Sequence, residues 1–329
     1  MLLSTLALIL GLVLLVWSAD RFVIGASATA SILGVSTLVV GILVVGIGTS
    51  APEMLVSAIA AADGQTGLSV GNALGSNITN IALILGITAV LIPLKVQSRL
   101  ITREIPLLIL VMLLGYFLLQ DGQLDLVDGL ILVAGFAGVV IRQLWEAKHG
   151  KGDALEAELE NEIPKDMPLK TALMWLAIGF VLLIASARLL VWGAVDIAQY
   201  FGISDLVIGL TVVAIGTSLP ELAASVAAAR KNEHDIAIGN VVGSNLFNLL
   251  GVMAMPGLLA PGAVDAEVLN RDYPIMLVLT LLFFLVACGP RKDRRITRLE
   301  GAGLLVFYFV YLGYLLVDSG AVGAAIAVS

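Results

Sequence analysis

The stretch that decides the fold reads "GIGTSAPEMLVSA", Gly46 to Ala58. It sets Pro52 and Glu53 inside an otherwise apolar run. A proline removes a helical hydrogen bond, and a carboxylate is unfavourable in a hydrocarbon layer. The arrangement recurs at "AIGTSLPELAASV", Ala214 to Val226, with Pro220 and Glu221. The two glutamates lie 168 positions apart, and sliding the sequence by that offset aligns it with itself without gaps. Of the 35 positions from Gly46 to Asn80, 15 are identical to those from Ala214 to Asn248. "TSAPE" meets "TSLPE", and "GNALGSNITN" meets "GNVVGSNLFN". Composition alone produces shared Leu, Val and Ala. It does not produce Pro, Glu, Asn and Gly in register, so the chain contains an internal repeat.

The setting of the repeat is a membrane. The 329 residues are 59% hydrophobic and 13% charged, with a mean hydropathy of +1.04. Soluble domains carry about 25% charged residues. Runs such as "PLLILVMLLGYFLLQ" are continuously apolar, which excludes the alternation of a β-barrel. An all-α polytopic membrane protein follows. Ten transmembrane helices are expected, near 2–19, 36–61, 69–91, 104–120, 125–146, 169–199, 204–229, 235–258, 272–288 and 300–317. The first lacks a basic leader and a cleavage site and is read as a helix, not a secretory signal. Residues 147–168 form the one long polar stretch and are read as a linker. They divide the chain into a first half, 1–146, with its repeat near 36–91, and a second half, 169–329, with its repeat near 204–258. The single cysteine, Cys288, excludes an internal disulfide, and His149 and His234 fall in polar connections, which argues against a His/Cys transition-metal site. No organic cofactor or nucleic acid is implied.

Basic residues orient the chain. Fifteen of the 18 fall in alternate connections or their flanks, including Lys95, Arg103, Lys148, Lys151, Arg230, Lys231, Arg294 and Arg295. The opposite connections carry Asp63, Asp121, Asp125, Asp128, Asp205, Asp265 and Glu267. The positive-inside rule makes the 147–168 linker cytoplasmic and turns both termini outward. Five helices separate the second helix from the seventh. An odd number inverts the second copy, as in many secondary transporters that bind near the midplane.

The repeated motif is rich in oxygen. Pro52 and Pro220 deprive the carbonyls of Gly48 and Gly216 of their helical partners. Thr49, Glu53 and Ser57 share a helical face, with Ser50 close by, and Thr217, Ser218, Glu221 and Ser225 match them. Ser76 and Asn80, and likewise Ser244 and Asn248, stand four apart. Gly71, Gly75, Gly239 and Gly243 permit close helix approach. Hard oxygens of this kind suit Ca²⁺ and serve Na⁺ equally, and two carboxylates neutralise one Ca²⁺.

"GTSAPE…GNALGSN" and "GTSLPE…GNVVGSN" resemble the α-repeats of the cation/Ca²⁺ exchanger superfamily, and the whole chain resembles a bacterial inner-membrane Ca²⁺/Na⁺ antiporter. The resemblance implies cation ligands at Glu53, Glu221, Ser50, Ser218, Ser76, Ser244, Asn80 and Asn248. It adds the backbone carbonyls of Gly46, Thr49, Ala214 and Thr217. It also implies that the first and sixth helices slide over the rest. Some relatives carry Asp at a position matched here by Asn80 or Asn248, and this chain has Asn at both, which leaves Na⁺ or H⁺ open as the driving ion. Ca²⁺ and Na⁺, the lipid bilayer and a monomeric state are the expected associations. A cation channel could use the same oxygens. An intramembrane hydrolase would need a base beside Ser50 or Ser218, and neither histidine is placed for that.

Overall fold

The computed structural model describes residues 1–34, 47–98, 100–149, 167–288 and 294–319. The helices are α1 (Leu2–Ile32), α2 (Ala51–Ala62), α3 (Thr66–Leu91), α4 (Leu100–Leu118), α5 (Leu126–His149), α6 (Leu169–Phe201), α7 (Asp205–Thr217), α8 (Leu219–Arg230), α9 (His234–Leu259), α10 (Val268–Cys288) and α11 (Arg298–Asp318). One helical turn, Ile47–Thr49, precedes α2. Among the described residues eight helices are long and apolar enough to cross a membrane. A ninth span arises if α7 and α8, bent by 44° at Ser218, are counted as one. The expected second helix, 36–61, begins in residues outside those described, as do most of the 147–168 linker and the C-terminus at 320–329.

Helix boundaries agree with the sequence reading to within a few residues, with one exception. The first helix was expected to stop at 19 and instead runs to Ile32. Asp20 and Arg21 do not end it. They pair at 3.6 Å, and the Arg21 guanidinium lies 5.7 Å from the Trp17 ring and 5.2 Å from Trp175. The cation thus lies near two aromatic rings and a carboxylate, contacts that favour it within an apolar helix.

α1 and α6 pack along each other as a long pair. At 31 and 33 residues they measure roughly 46–50 Å, well beyond a hydrocarbon layer of about 30 Å, so they cross at a tilt or project beyond it. Small residues bring their backbones together: a Cβ on Gly11 would sit 2.8 Å from Leu190 N, and one on Gly179 only 2.5 Å from Phe22 N. The same device joins α3 to α7. A Cβ on Gly71 would lie 2.5 Å from Leu206 O, and one on Gly75 2.6 Å from Leu210 Cα. The residues matched to those in the other half, 38–42, lie outside the described ones, so the expectation for Gly239 and Gly243 has no described partner segment.

Two short antiparallel ribbons join distant connections. Leu94–Lys95 (β1) pairs with Arg295–Ile296 (β4), and Gln123–Leu124 (β2) with Gly262–Ala263 (β3). The first ribbon unites two basic connections and the second two acidic ones. Arg294 donates to Ser98 Oγ at 3.1 Å, and Gln97 donates to Asp235, so the start of α9 also sits at the basic end. At the acidic end a Cβ on Gly67 would lie 3.2 Å from Asp265 Oδ2.

Candidate cation site

Both Pro–Glu motifs open a new helix. Ser50 (φ −89°, ψ 5°) caps α2, and Ser218 (φ −85°, ψ 6°) caps α8 with nearly the same backbone. Proline is tolerated in a first turn, where its missing N–H is not needed. Glu53 and Glu221 then fall in the first turn, at the positive end of the helix dipole. Proline thus serves to start a half-helix whose N-terminus stabilises an anion. Each glutamate is only 1% exposed.

The freed carbonyl expected at Gly216 is not open. At this cap backbone N–H groups donate to Gly216 O and to Ala214 O, because the short helical turn before Ser218 tightens to recover the bond that Pro220 removes. Ala214 O also accepts from Thr217 Oγ1 at 3.4 Å. Gly46 lies outside the described residues.

Ser50 and Ser218, although well suited to cap with their hydroxyls, make no side-chain cap bond. Their hydroxyls reach across the chain instead. Ser50 Oγ lies 3.2 Å from Ser244 Oγ, Ser244 Oγ donates to Glu221 Oε1 at 3.2 Å, and Ser218 Oγ donates to Glu53 Oε1 at 3.4 Å. The two repeats therefore meet through Ser50, Ser244, Glu221, Ser218 and Glu53. Asn80 and Asn248 sit where α3 and α9 widen into π-helical turns, Thr79–Ile84 and Asn248–Val252. Such turns are frequent at functional sites. The segment with Asn80 packs against α8, which carries Glu221, and the segment with Asn248 packs against α2, which carries Glu53.

A concentration of unsatisfied atoms marks this region. Glu53 Oε2, Glu221 Oε2, Ser76 Oγ, Asn80 Oδ1 and both amide atoms of Asn248 are buried without a hydrogen-bond partner. Buried polar groups are paired as a rule, so orphans from both repeats indicate a polar occupant. Among the described residues no three His, Cys, Asp or Glu side chains converge. Two carboxylates accompanied by neutral hydroxyl and amide oxygens form a donor set suited to a hard cation.

Residues the sequence reading left unassigned support the glutamates. Asn72 Nδ2 donates to Glu53 O at 3.1 Å and to Ser57 Oγ at 2.9 Å, and Asn240 Nδ2 donates to Glu221 O at 3.3 Å and Ser225 Oγ at 3.1 Å. Thr217 Oγ1 crosses to Asn72 Oδ1 at 3.2 Å. Ser57 and Ser225 thus hold asparagines and do not line the cluster of unpaired oxygens. The signal was present: both asparagines belong to the repeated "GN" pair.

A model of the sodium/calcium exchanger protein family matches residues 3–145 and 171–317. The chain belongs to that family. Its relatives include CaxA of Alkalimonas amylolytica, named as an antiporter, with 49% identity over 97% of this chain and 100% of that protein. The inner membrane protein YrbG of Escherichia coli K12 is 42% identical over 93% of this chain and 96% of its own. A structure of the sodium-calcium exchanger NCX_Mj, soaked with Na⁺ and Sr²⁺, superposes with a TM-score of 0.63 at 35% identity, covering 95% of this chain and 98% of that one. The chain is thus a helical, multi-pass membrane protein whose relatives are transporters.

Proposed function

We propose that this exchanger is an antiporter that moves Ca²⁺ against Na⁺ by alternating access, with the ions taking turns between Glu53 and Glu221. One observation carries the reading. Two buried carboxylates, 168 residues apart and each at the N-terminus of a half-helix, are joined across the repeats while each keeps one oxygen unpaired. Two negative charges balance one Ca²⁺ or two Na⁺. The ligand set is Glu53, Glu221, Ser50, Ser218, Ser76, Ser244, Asn80 and Asn248, to which the family resemblance adds the carbonyls of Gly46, Thr49, Ala214 and Thr217.

The architecture proposed is ten spans in two inverted five-helix repeats. It counts the eight single helices, the α7–α8 pair, and a broken span that includes the Ile47–Thr49 turn and α2. The protein lies in the inner membrane with the 147–168 linker cytoplasmic and both termini periplasmic. A site built within one chain requires no second copy, which supports a monomer.

H⁺ is the second reading for the driving ion, since the unpaired Oε2 atoms that would meet Na⁺ can also take a proton. Vesicles containing the purified protein decide. Ca²⁺ uptake should follow an outward Na⁺ gradient and fail under a pH gradient alone. Uptake driven only by the pH gradient would overturn Na⁺ coupling. Uptake of labelled Ca²⁺ that is accelerated by unlabelled Ca²⁺ on the far side, with the voltage held at zero, separates the exchanger from a channel, in which the two flows are independent.

A further inference from the structure

Beside the glutamates lies a chain of carboxamides whose polarity is fixed at one end. Asn245 is 1% exposed and stands on α9 three residues before Asn248. Its Nδ2 donates to the backbone carbonyl of Asn77 on α3 at 3.3 Å. A backbone carbonyl can only accept, so the amide of Asn245 cannot be turned over without setting oxygen against oxygen. Its Oδ1 must therefore face the other way, where it accepts from Asn80 Nδ2 at 3.0 Å. That acceptor in turn fixes Asn80. The donor half of the Asn80 amide is engaged, and its Oδ1 is left buried and unpaired.

The mirrored chain is open. The 168 offset matches Asn77 to Asn245 and Asn80 to Asn248. Yet Asn77 spends its Nδ2 on Met276 Sδ at 3.4 Å, its Oδ1 is unpaired, and neither amide atom of Asn248 has a partner. One carboxamide of the proposed ligand set is thus locked with its oxygen free, and the other is not locked. A lock on one side only is not needed merely to join α3 to α9, because the residues of the open side remain fully buried.

We infer that Asn245 is a positioning residue for cation binding: its carboxamide, oriented by the Asn77 carbonyl, turns the Asn80 oxygen toward the cation and denies the cation the Asn80 NH₂ group. This rests on the ligand role proposed for Asn80. Without Asn245 the Asn80 amide rotates freely, and half its orientations set a donor against a positive charge. Partners behind a metal ligand commonly change affinity by about 10–100-fold.

The test is a double-mutant cycle on the full-length protein in Na⁺-loaded vesicles, reading the apparent KM for Ca²⁺ separately from the maximal rate. Asn245→Ala should raise that KM by about 10-fold with the maximal rate changed less than about 2-fold. Asn245→Leu, which keeps the volume, should do the same and guards against a folding defect in the smaller variant. In an Asn80→Ala background neither substitution should move the KM further. Equal effects with and without Asn80 would overturn the inference and leave the antiport reading standing, as would an unchanged KM in both single variants. Absence of Ca²⁺ exchange in the unmutated protein would overturn the antiport reading, and this inference with it.

Discussion

At the scale of single residues, the repeated glutamate is the deciding choice. Glu53→Gln or Glu221→Gln keeps the side-chain size and one oxygen ligand but halves the protein charge facing Ca²⁺. A unit charge about 4 Å away in a medium of effective dielectric near 20 is worth roughly 4 kcal/mol, about three decades in affinity. Either variant should therefore insert, fold and lose Ca²⁺ exchange to background, measured as vesicle uptake beside the melting temperature of the purified protein. Normal exchange in either would remove the proposed site. Asn248, with both amide atoms buried and unpaired, is the second choice. Asn248→Asp adds an anionic oxygen within a few Å of the proposed ion and should shift the apparent Ca²⁺ affinity or the pH profile of exchange. No shift in either would place this amide off the ion path. The sequence was legible here because Pro, Glu, Ser and Asn do not repeat in register by chance. What it hid was the division of labour among them. Ser50 and Ser218 reach across repeats while Ser57 and Ser225 bind asparagines, and spacing along one helix cannot distinguish these roles.

At the scale of elements, hydropathy located most helices to within a few residues because each apolar run must be at least long enough to cross the layer and is bounded by polar connections. It failed at α1, where a charged pair reads as a boundary. There Arg21 meets the ring of Trp175, about 150 residues away, a contact that reading along the chain does not show. It was also silent on the π-helical turns at Thr79–Ile84 and Asn248–Val252, whose widening arises from packing and has no compositional mark. Gly71 and Gly75 were legible as packing residues, whereas a Cβ on Gly239 or Gly243 would meet no described atom within 4 Å. A Cβ at Gly71 would stand 2.5 Å from the Leu206 carbonyl, which is backbone and cannot rotate away. Overpacking of this kind costs about 1–3 kcal/mol. Gly71→Ala should lower the melting temperature of the purified protein, whereas Gly303→Ala on α11, exposed with nothing within 4 Å, should not lower it, since Ala favours a helix interior over Gly. Equal melting temperatures would show that α3 and α7 are not in close contact.

At the scale of the whole molecule, charge and connectivity bear on the same question of sidedness. The sequence assigns basic residues to alternate connections, which is a statement about composition. The two ribbons add a spatial constraint. β1 pairs with β4, so the connection carrying Lys95 and the one carrying Arg294 and Arg295 lie at one end of the bundle. β2 pairs with β3, so the connections carrying Asp121 and Asp265 lie together at another place. A chain with one span fewer between these connections would have to bring a basic strand to an acidic partner. Basic connections near spans remain on the cytoplasmic face. If the basic ribbon faces the cytoplasm, α11, as a single crossing of 21 residues, would start inside at Arg298 and end outside at Asp318. There Asp318 meets Arg271 at 2.6 Å, and Arg271 opens α10 next to the acidic ribbon, so the far end of α11 is tied to the acidic face. A reporter active only in the cytoplasm, fused after Ser329, should therefore be silent, and the same reporter inserted within 147–168 should be active. Cytoplasmic activity of the fusion at Ser329 would refute the ten-span, outward-termini arrangement, because α11 cannot end on the side where it begins.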